Sequence, residues 1–199
     1  DGSTIEAPQN LAASGSGQET AAGGFVAGIA LAWDAPASDA LTPEVKFKPS
    51  SSLIGAYQPW VVASGATTAL ISPLVDQALY DIEFGFVTPN GTRGPKQEIT
   101  NVKAVAATVA PDAPTNLAVE DLATGTARVT VTASASSNNR RTVIYRDSVE
   151  VYSEIGITSA SIAFVDACGV GTFDWTARAF NVSGLASAAD AGPVSQTIT

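Results

Sequence analysis

The most constraining feature of this sequence is that it repeats itself once. Ala7-Pro8-Gln9-Asn10-Leu11-Ala12 returns as Ala113-Pro114-Thr115-Asn116-Leu117-Ala118, with Pro8 and Pro114 106 residues apart. A period this long indicates two copies of one domain type, since solenoid repeats run about 20–50 residues. A chain of 199 residues also has room for two small domains. Between the copies lies Val109-Ala110-Pro111-Asp112-Ala113-Pro114, a stretch that two prolines keep extended and stiffer than a Gly/Ser linker. The expected division is 1–109 and 110–199, with the first residues available as linker.

Within each copy the apolar residues alternate with period two. Tyr80-Asp81-Ile82-Glu83-Phe84-Gly85-Phe86 and Phe173-Asp174-Trp175-Thr176-Ala177-Arg178-Ala179-Phe180 are the clearest runs. Ile29-Ala30-Leu31-Ala32-Trp33 alternates large with small, and Val129-Thr130-Val131 and Thr142-Val143-Ile144-Tyr145 are short β-branched runs. Turn residues punctuate them at Pro89-Asn90-Gly91, Arg93-Gly94-Pro95, Ser137-Asn138-Asn139 and Cys168-Gly169-Val170-Gly171. No long segment carries a 3.6-residue apolar stripe. The pattern predicts an all-β chain of two consecutive β-sandwiches.

These residues resemble fibronectin type III (immunoglobulin-like) domains, in both copies. The first copy supplies a strand B Trp, Trp33, and a strand F of Tyr80, Ile82, Phe84 and Phe86. Leu74, six residues before Tyr80, matches the Leu that accompanies the tyrosine corner. The second copy matches strand F with Phe173, Trp175, Ala177, Ala179, Asn181 and Gly184, and Val143 to Val151 resembles the C–C′ hairpin. Two positions depart from the pattern. Phe173 stands where the family has tyrosine, which implies no corner hydrogen bond, and no Trp occupies strand B, which leaves Trp175 to anchor that core. The structural core implied is therefore Trp33, Leu74, Tyr80, Phe173 and Trp175.

The copies differ in length. Pro8 to Tyr80 spans 72 residues and Pro114 to Phe173 spans 59. Part of the excess is Ser14 to Gly24, read as a long mobile loop or a widened A–B hairpin. It offers a contact surface, but a tolerated surface insertion is the simpler reading.

Composition removes most chemistries. The chain has no histidine, hence no Ser-His or Cys-His pair and none of the commonest zinc ligand. Net charge is −9 and only Arg140-Arg141 places two basic residues side by side, so nucleic acid is excluded as a partner. No apolar run is long enough for a membrane helix, and no insertion is expected. The single cysteine, Cys168, has no partner in the chain for a disulfide and no His or Lys neighbour to activate it. With no methionine and a start at Asp1, the sequence reads as a segment of a longer chain or a processed product. No signal peptide is visible.

The remaining candidates are weak against their structural readings. Asp81 and Glu83 share a strand face and have permissive spacing for paired-carboxylate chemistry, but the alternation makes that face the solvated one. Asp34, Asp39 and Glu44 near the B–C loop offer oxygen ligands for calcium without the spacing of a calcium loop. Asn90-Gly91-Thr92 and Asn181-Val182-Ser183 match the glycosylation sequon at the two F–G turns. Tyr57, Pro59 and Trp60 offer an aromatic platform for a glycan or a protein, with packing the stronger reading for Trp60. Arg93, in Thr92-Arg93-Gly94-Pro95 of the F–G loop, lies outside any Arg-Gly-Asp motif. The expectation is a non-enzymatic segment with no catalytic residues, no cofactor and no metal, and with Tyr57, Trp60 and Arg93 as interaction residues.

The order Trp60, Thr67-Thr68, Leu74, Tyr80-Asp81, Gly94-Pro95 also resembles the fibronectin modules of bacteriophage tail-tip and host-specificity proteins. That resemblance implies a virion tail hub, tip or fibre protein, commonly trimeric. Its partners would be neighbouring domains and subunits, and a host-surface protein or glycan. The alternatives are a spacer pair in a secreted bacterial carbohydrate-active enzyme, or a repeat of an extracellular adhesin.

Overall fold

The structure is a computed structural model that describes residues 5–21, 24–38, 40–51, 56–156 and 158–199. The described residues hold strands, turns and loops but no helix. The contacts separate into two compact units, the first running to Thr108 and the second from Val109 to Thr199.

The first unit contains β1 (Ala12–Gly15), β2 (Gln18–Glu19), β3 (Phe25–Ala32), β4 (Thr42–Pro49), β5 (Gln58–Trp60), β6 (Thr68–Leu74), β7 (Leu79–Val87) and β8 (Arg93–Lys103). In one sheet β1, β2 and β6 all pair with β3. The other runs β5-β4-β7-β8. Every pairing is antiparallel. The alternation seen in the sequence is why β7 works as a central strand. Tyr80, Ile82, Phe84 and Phe86 all turn inward and are buried among Ile29, Leu31, Val45 and Ile71. Four large side chains on one strand face give the burial that stabilises this unit, about 1.5–3 kcal/mol for each.

The extra residues between Ser14 and Gly24 include a widened hairpin. Gln18 and Glu19 pair with Val26 and Phe25, and the Ser16 N–H donates to Gly28 O at 3.0 Å. Ala22 and Gly23 lie outside the described residues. Gly17 is required by a close approach, because a Cβ there would sit 1.6 Å from the carbonyl oxygen of Ala106. That segment of the hairpin is thus seated against the chain that follows β8.

The second unit contains β9 (Thr115–Asp121), β10 (Ala127–Thr132), β11 (Asn139–Arg146), β12 (Val149–Ile155), β13 (Ser161–Asp166), β14 (Gly171–Asn181) and β15 (Ala191–Ile198). Its sheets run β13-β10-β9 and β12-β11-β14-β15. Val129, Val131, Ile144, Ile162, Trp175 and Ile198 form its core. The β11–β12 turn is Asp147-Ser148, with both φ angles positive (48° and 67°), which matches the right-handed twist of the flanking strands.

Both units thus place strands A, B and E in one sheet and C′, C, F and G in the other. This is the arrangement of an immunoglobulin-like sandwich of the fibronectin type III kind, twice in succession.

Candidate functional site

The largest set of charged side chains gathers on the outer face of β5-β4-β7-β8. The inward residues of β4 and β7 fill the core, so the alternate positions Glu44, Lys46, Lys48, Asp81 and Glu83 are turned outward. The antiparallel register sets Lys46 opposite Glu83 and Lys48 opposite Asp81. Lys46 lies 3.5 Å from Glu44 and 3.8 Å from Glu83, and Lys96 reaches Glu83 at 2.5 Å. Arg93 grips Glu44 with two parallel hydrogen bonds, Nε to Oε2 and Nη2 to Oε1, each 2.9 Å. The Arg93 hydrogen bonds hold the Glu44 carboxyl below its ordinary range. The face interleaves the cations Lys46, Lys48, Arg93, Lys96 and Lys103 with the anions Glu44, Asp81, Glu83 and Glu98, and is close to neutral in a chain of net charge −9.

Asp81 corrects the sequence reading that its face is solvated. The residue is only 9% exposed. Its Oδ1 accepts from Ser50 Oγ at 2.5 Å and from the Asn101 N–H at 3.1 Å, while Lys48 lies 3.8 Å from Oδ2. The Ser50 hydrogen bond, with help from Asn101 and Lys48, lowers its proton affinity. An outward position on a central strand is covered when a long side chain of a neighbouring strand leans across it, as Lys48 of β4 does here. Asp81 and Glu83 are both engaged by neighbouring cations and donors.

Of the expected interaction residues, the fold brings Tyr57 and Arg93 to this outer face and sends Trp60 to the other. Lys48 Nζ stands 4.8 Å above the Tyr57 ring, and the Tyr57 hydroxyl donates a short hydrogen bond to Glu98. Partial burial and the Glu98 carboxylate raise the Tyr57 pKa well above the usual phenol value. Trp60 pairs with Val45 and packs edge-on against Phe47 at 6.0 Å, at the margin of the core. Val62 also packs there. Tyr57 and Trp60 therefore form no common aromatic platform.

The calcium candidates also separate. Glu44 is on β4 and held by Arg93, whereas Asp34 accepts from Asn10 Nδ2 at 2.8 Å. Asp39 lies outside the described residues. No group of three or more His, Cys, Asp or Glu suited to a metal occurs among the described residues.

The core residues fall as follows. Trp33, 4% exposed, follows the end of β3 and meets Phe84 at 4.6 Å between ring centres. Its Nε1 has no hydrogen-bond partner among the described residues. Tyr80 is 6% exposed and its hydroxyl accepts from the Val75 N–H at 3.1 Å, beside half-buried Leu74. This is the bond that a tyrosine corner makes. In the second unit Trp175 is 0% exposed and half-buried Phe173 packs against it at 5.8 Å, with the Arg146 guanidinium 5.4 Å from the Phe173 ring.

Sequence reasoning missed the polar partner of Trp175. Its Nε1 donates to Asp166 Oδ2 at 3.2 Å, and Arg146 Nη1 donates to Oδ1 at 2.7 Å. Arg146 on β11 and Trp175 on β14 stand opposite each other in one sheet, Asp166 comes from β13 in the other, and no local spacing links the three. Near this group, Cys168 is half-buried. Burial and the Asp166 charge raise its pKa, so it is a poor thiolate nucleophile.

The two sequon asparagines differ. Asn90 is exposed in the β7–β8 turn. Asn181 is 4% exposed, donates to Val109 O at 2.8 Å and accepts from the Ser183 and Leu185 N–H groups, so its amide is engaged within the fold.

No protein-family model matches the chain, and no curated protein matches it. Solved structures do resemble it. The chicken CNTN1 FN1–FN3 domains align over 98% of this chain and 68% of that one, at 13% identity and a TM-score of 0.44. The chicken interferon gamma receptor alpha chain aligns over 98% of both chains, at 12% identity and a TM-score of 0.47. No helix among the described residues is long and apolar enough to cross a membrane.

Proposed function

We propose that this chain is a non-catalytic spacing and interaction segment of a larger bacteriophage tail protein, a hub, tip or fibre subunit. In this reading the two sandwiches decorate the tail and bring a loop-bearing end toward the host surface. Their partners are neighbouring domains and the other subunits of a trimer, together with a host-surface protein or glycan.

The observation that carries the reading is the order of residues along the second half of the first unit. Trp60 closes β5, Thr67-Thr68 lead into β6, Leu74 and Tyr80 make the corner, and Gly94-Pro95 open β8. This is the order in which the tail-tip modules resemble this sequence. The charged outer face is consistent with a spacer, because its side chains neutralise one another and leave the surface without a strong field.

The test is made on the native source. Particles are separated from soluble secreted protein, and the polypeptide carrying these residues is identified by peptide mapping and intact mass. A longer chain that sediments with viral particles supports the reading. A soluble secreted chain with a hydrolase domain, or a cell-wall chain with many such modules, overturns it.

A further inference from the structure

The first unit holds a cavity of about 290 Å³ between its N-terminal segment and the loop joining β3 to β4. Its apolar wall includes Ile5, Pro36, Leu41 and Phe86, and its polar lining includes Glu6 and Asp34. A pocket near 300 Å³, mostly apolar with a few placed polar groups, matches the lower end of small-ligand sites.

The walls are held before any ligand arrives. Ile5 packs on Gly94, where an added Cβ would come within 2.3 Å of Ile5 Cγ2. The Asp34 N–H donates to Gln9 O at 3.0 Å, and Asn10 Nδ2 donates to Asp34 Oδ2 at 2.8 Å. These bonds staple the N-terminal segment to the loop, and both carboxylates remain exposed. No Lys or Arg is among the described residues that line the cavity.

An apolar wall with two carboxylates and no counter-cation selects one chemistry. We propose that this cavity binds an organic ammonium carried on an apolar stem, with the stem against Phe86, Leu41 and Pro36 and the charge toward Glu6 and Asp34. Such a group is either a free amine or the lysine side chain of a partner chain. The inference does not depend on the tail assignment.

The experiment titrates the full chain with hexylammonium, hexanoate and the tripeptide Gly-Lys-Gly, blocked at both ends, while following backbone amide resonances. Saturable shifts at Ile5, Leu41 and Phe86 with hexylammonium, and none with hexanoate, are the expected result. If the blocked tripeptide also binds, the source is a partner's lysine; if only hexylammonium binds, it is a free amine. The E6Q/D34N chain keeps the Asn10 hydrogen bond, and it should bind hexylammonium about two- to fivefold more weakly. Ala35→Phe, at an exposed wall position, should abolish the shifts while leaving the rest of the spectrum unchanged. Absence of saturable shifts, or equal binding of hexanoate, overturns the proposal.

Discussion

The indole N–H of Trp175 donates to a carboxylate oxygen of Asp166 at 3.2 Å, and Arg146 holds the other oxygen at 2.7 Å. Asp166 can lie almost buried in an otherwise apolar core only because both of its oxygens are satisfied. Removing it leaves a buried donor and a half-covered guanidinium. Asp166→Ala should therefore destabilise the second unit by about 2–3 kcal/mol, below the range for fully buried pairs because Arg146 keeps some solvent contact. Urea unfolding of the whole chain, with amide exchange on β10 and β14, checks this. A loss under 0.5 kcal/mol would show that water replaces the carboxylate.

Trp33 is the contrasting case. Its ring packs on Phe84, but its N–H has no partner among the described residues. Trp33→Ala should cost about 3–5 kcal/mol as a core aromatic truncation. Trp33→Phe should cost clearly less, since no hydrogen bond is lost. Denaturant midpoints of the two variants, compared with Trp175→Phe, test the distinction. Equal costs for Trp33→Phe and Trp33→Ala would contradict it.

The tyrosine corner predicts a smaller effect. Tyr80→Phe removes the acceptor of the Val75 N–H and should cost about 0.5–1.5 kcal/mol. Val75 is exposed, so water can solvate the freed N–H and the value should fall in the lower half of that range. An unchanged unfolding midpoint would mean the bond contributes nothing.

Gly17 tests the seating of the long hairpin. A methyl group there would collide with the Ala106 carbonyl, so backbone must move. Gly17→Ala should destabilise by about 1–3 kcal/mol. Resonance changes should reach Ala104 to Ala107. A neutral outcome would mean that this segment is a free surface insertion.

Acid should weaken the first unit. Asp81 and Glu44 both have folded pKa values below the unfolded ones, through Ser50 and Arg93 respectively. Their stabilisation is complete above the ordinary carboxylate range near pH 4 and is lost as the pH falls through the lower folded values. Unfolding free energy measured from pH 6 down to pH 2 should decline below about pH 4. Asp81→Asn should make that decline shallower; an identical slope would remove Asp81 from the linkage.

Features that depend on near neighbours along the chain are legible in the residues themselves. The period-two run from Tyr80 to Phe86 marks β7, because alternate residues of a strand must face opposite sides whatever the strand packs against. The paired Ala-Pro hexamers expose the duplication, and the β7–β8 turn is legible in Pro89-Asn90-Gly91. What each strand face meets is set by sheet packing instead. Trp60 turns inward beside Val45, and Tyr57 turns outward to Glu98, 41 residues later in the chain. Asp81 is covered by Lys48 and Ser50 from β4 and its end, and Asp166 meets Trp175 across the sandwich. Those partners are brought together by strand register and sheet packing, which are settled by burial of the whole core. The cavity between the N-terminal segment and the β3–β4 loop belongs to the same class. Its walls come from distant parts of the chain, and no local spacing encodes them.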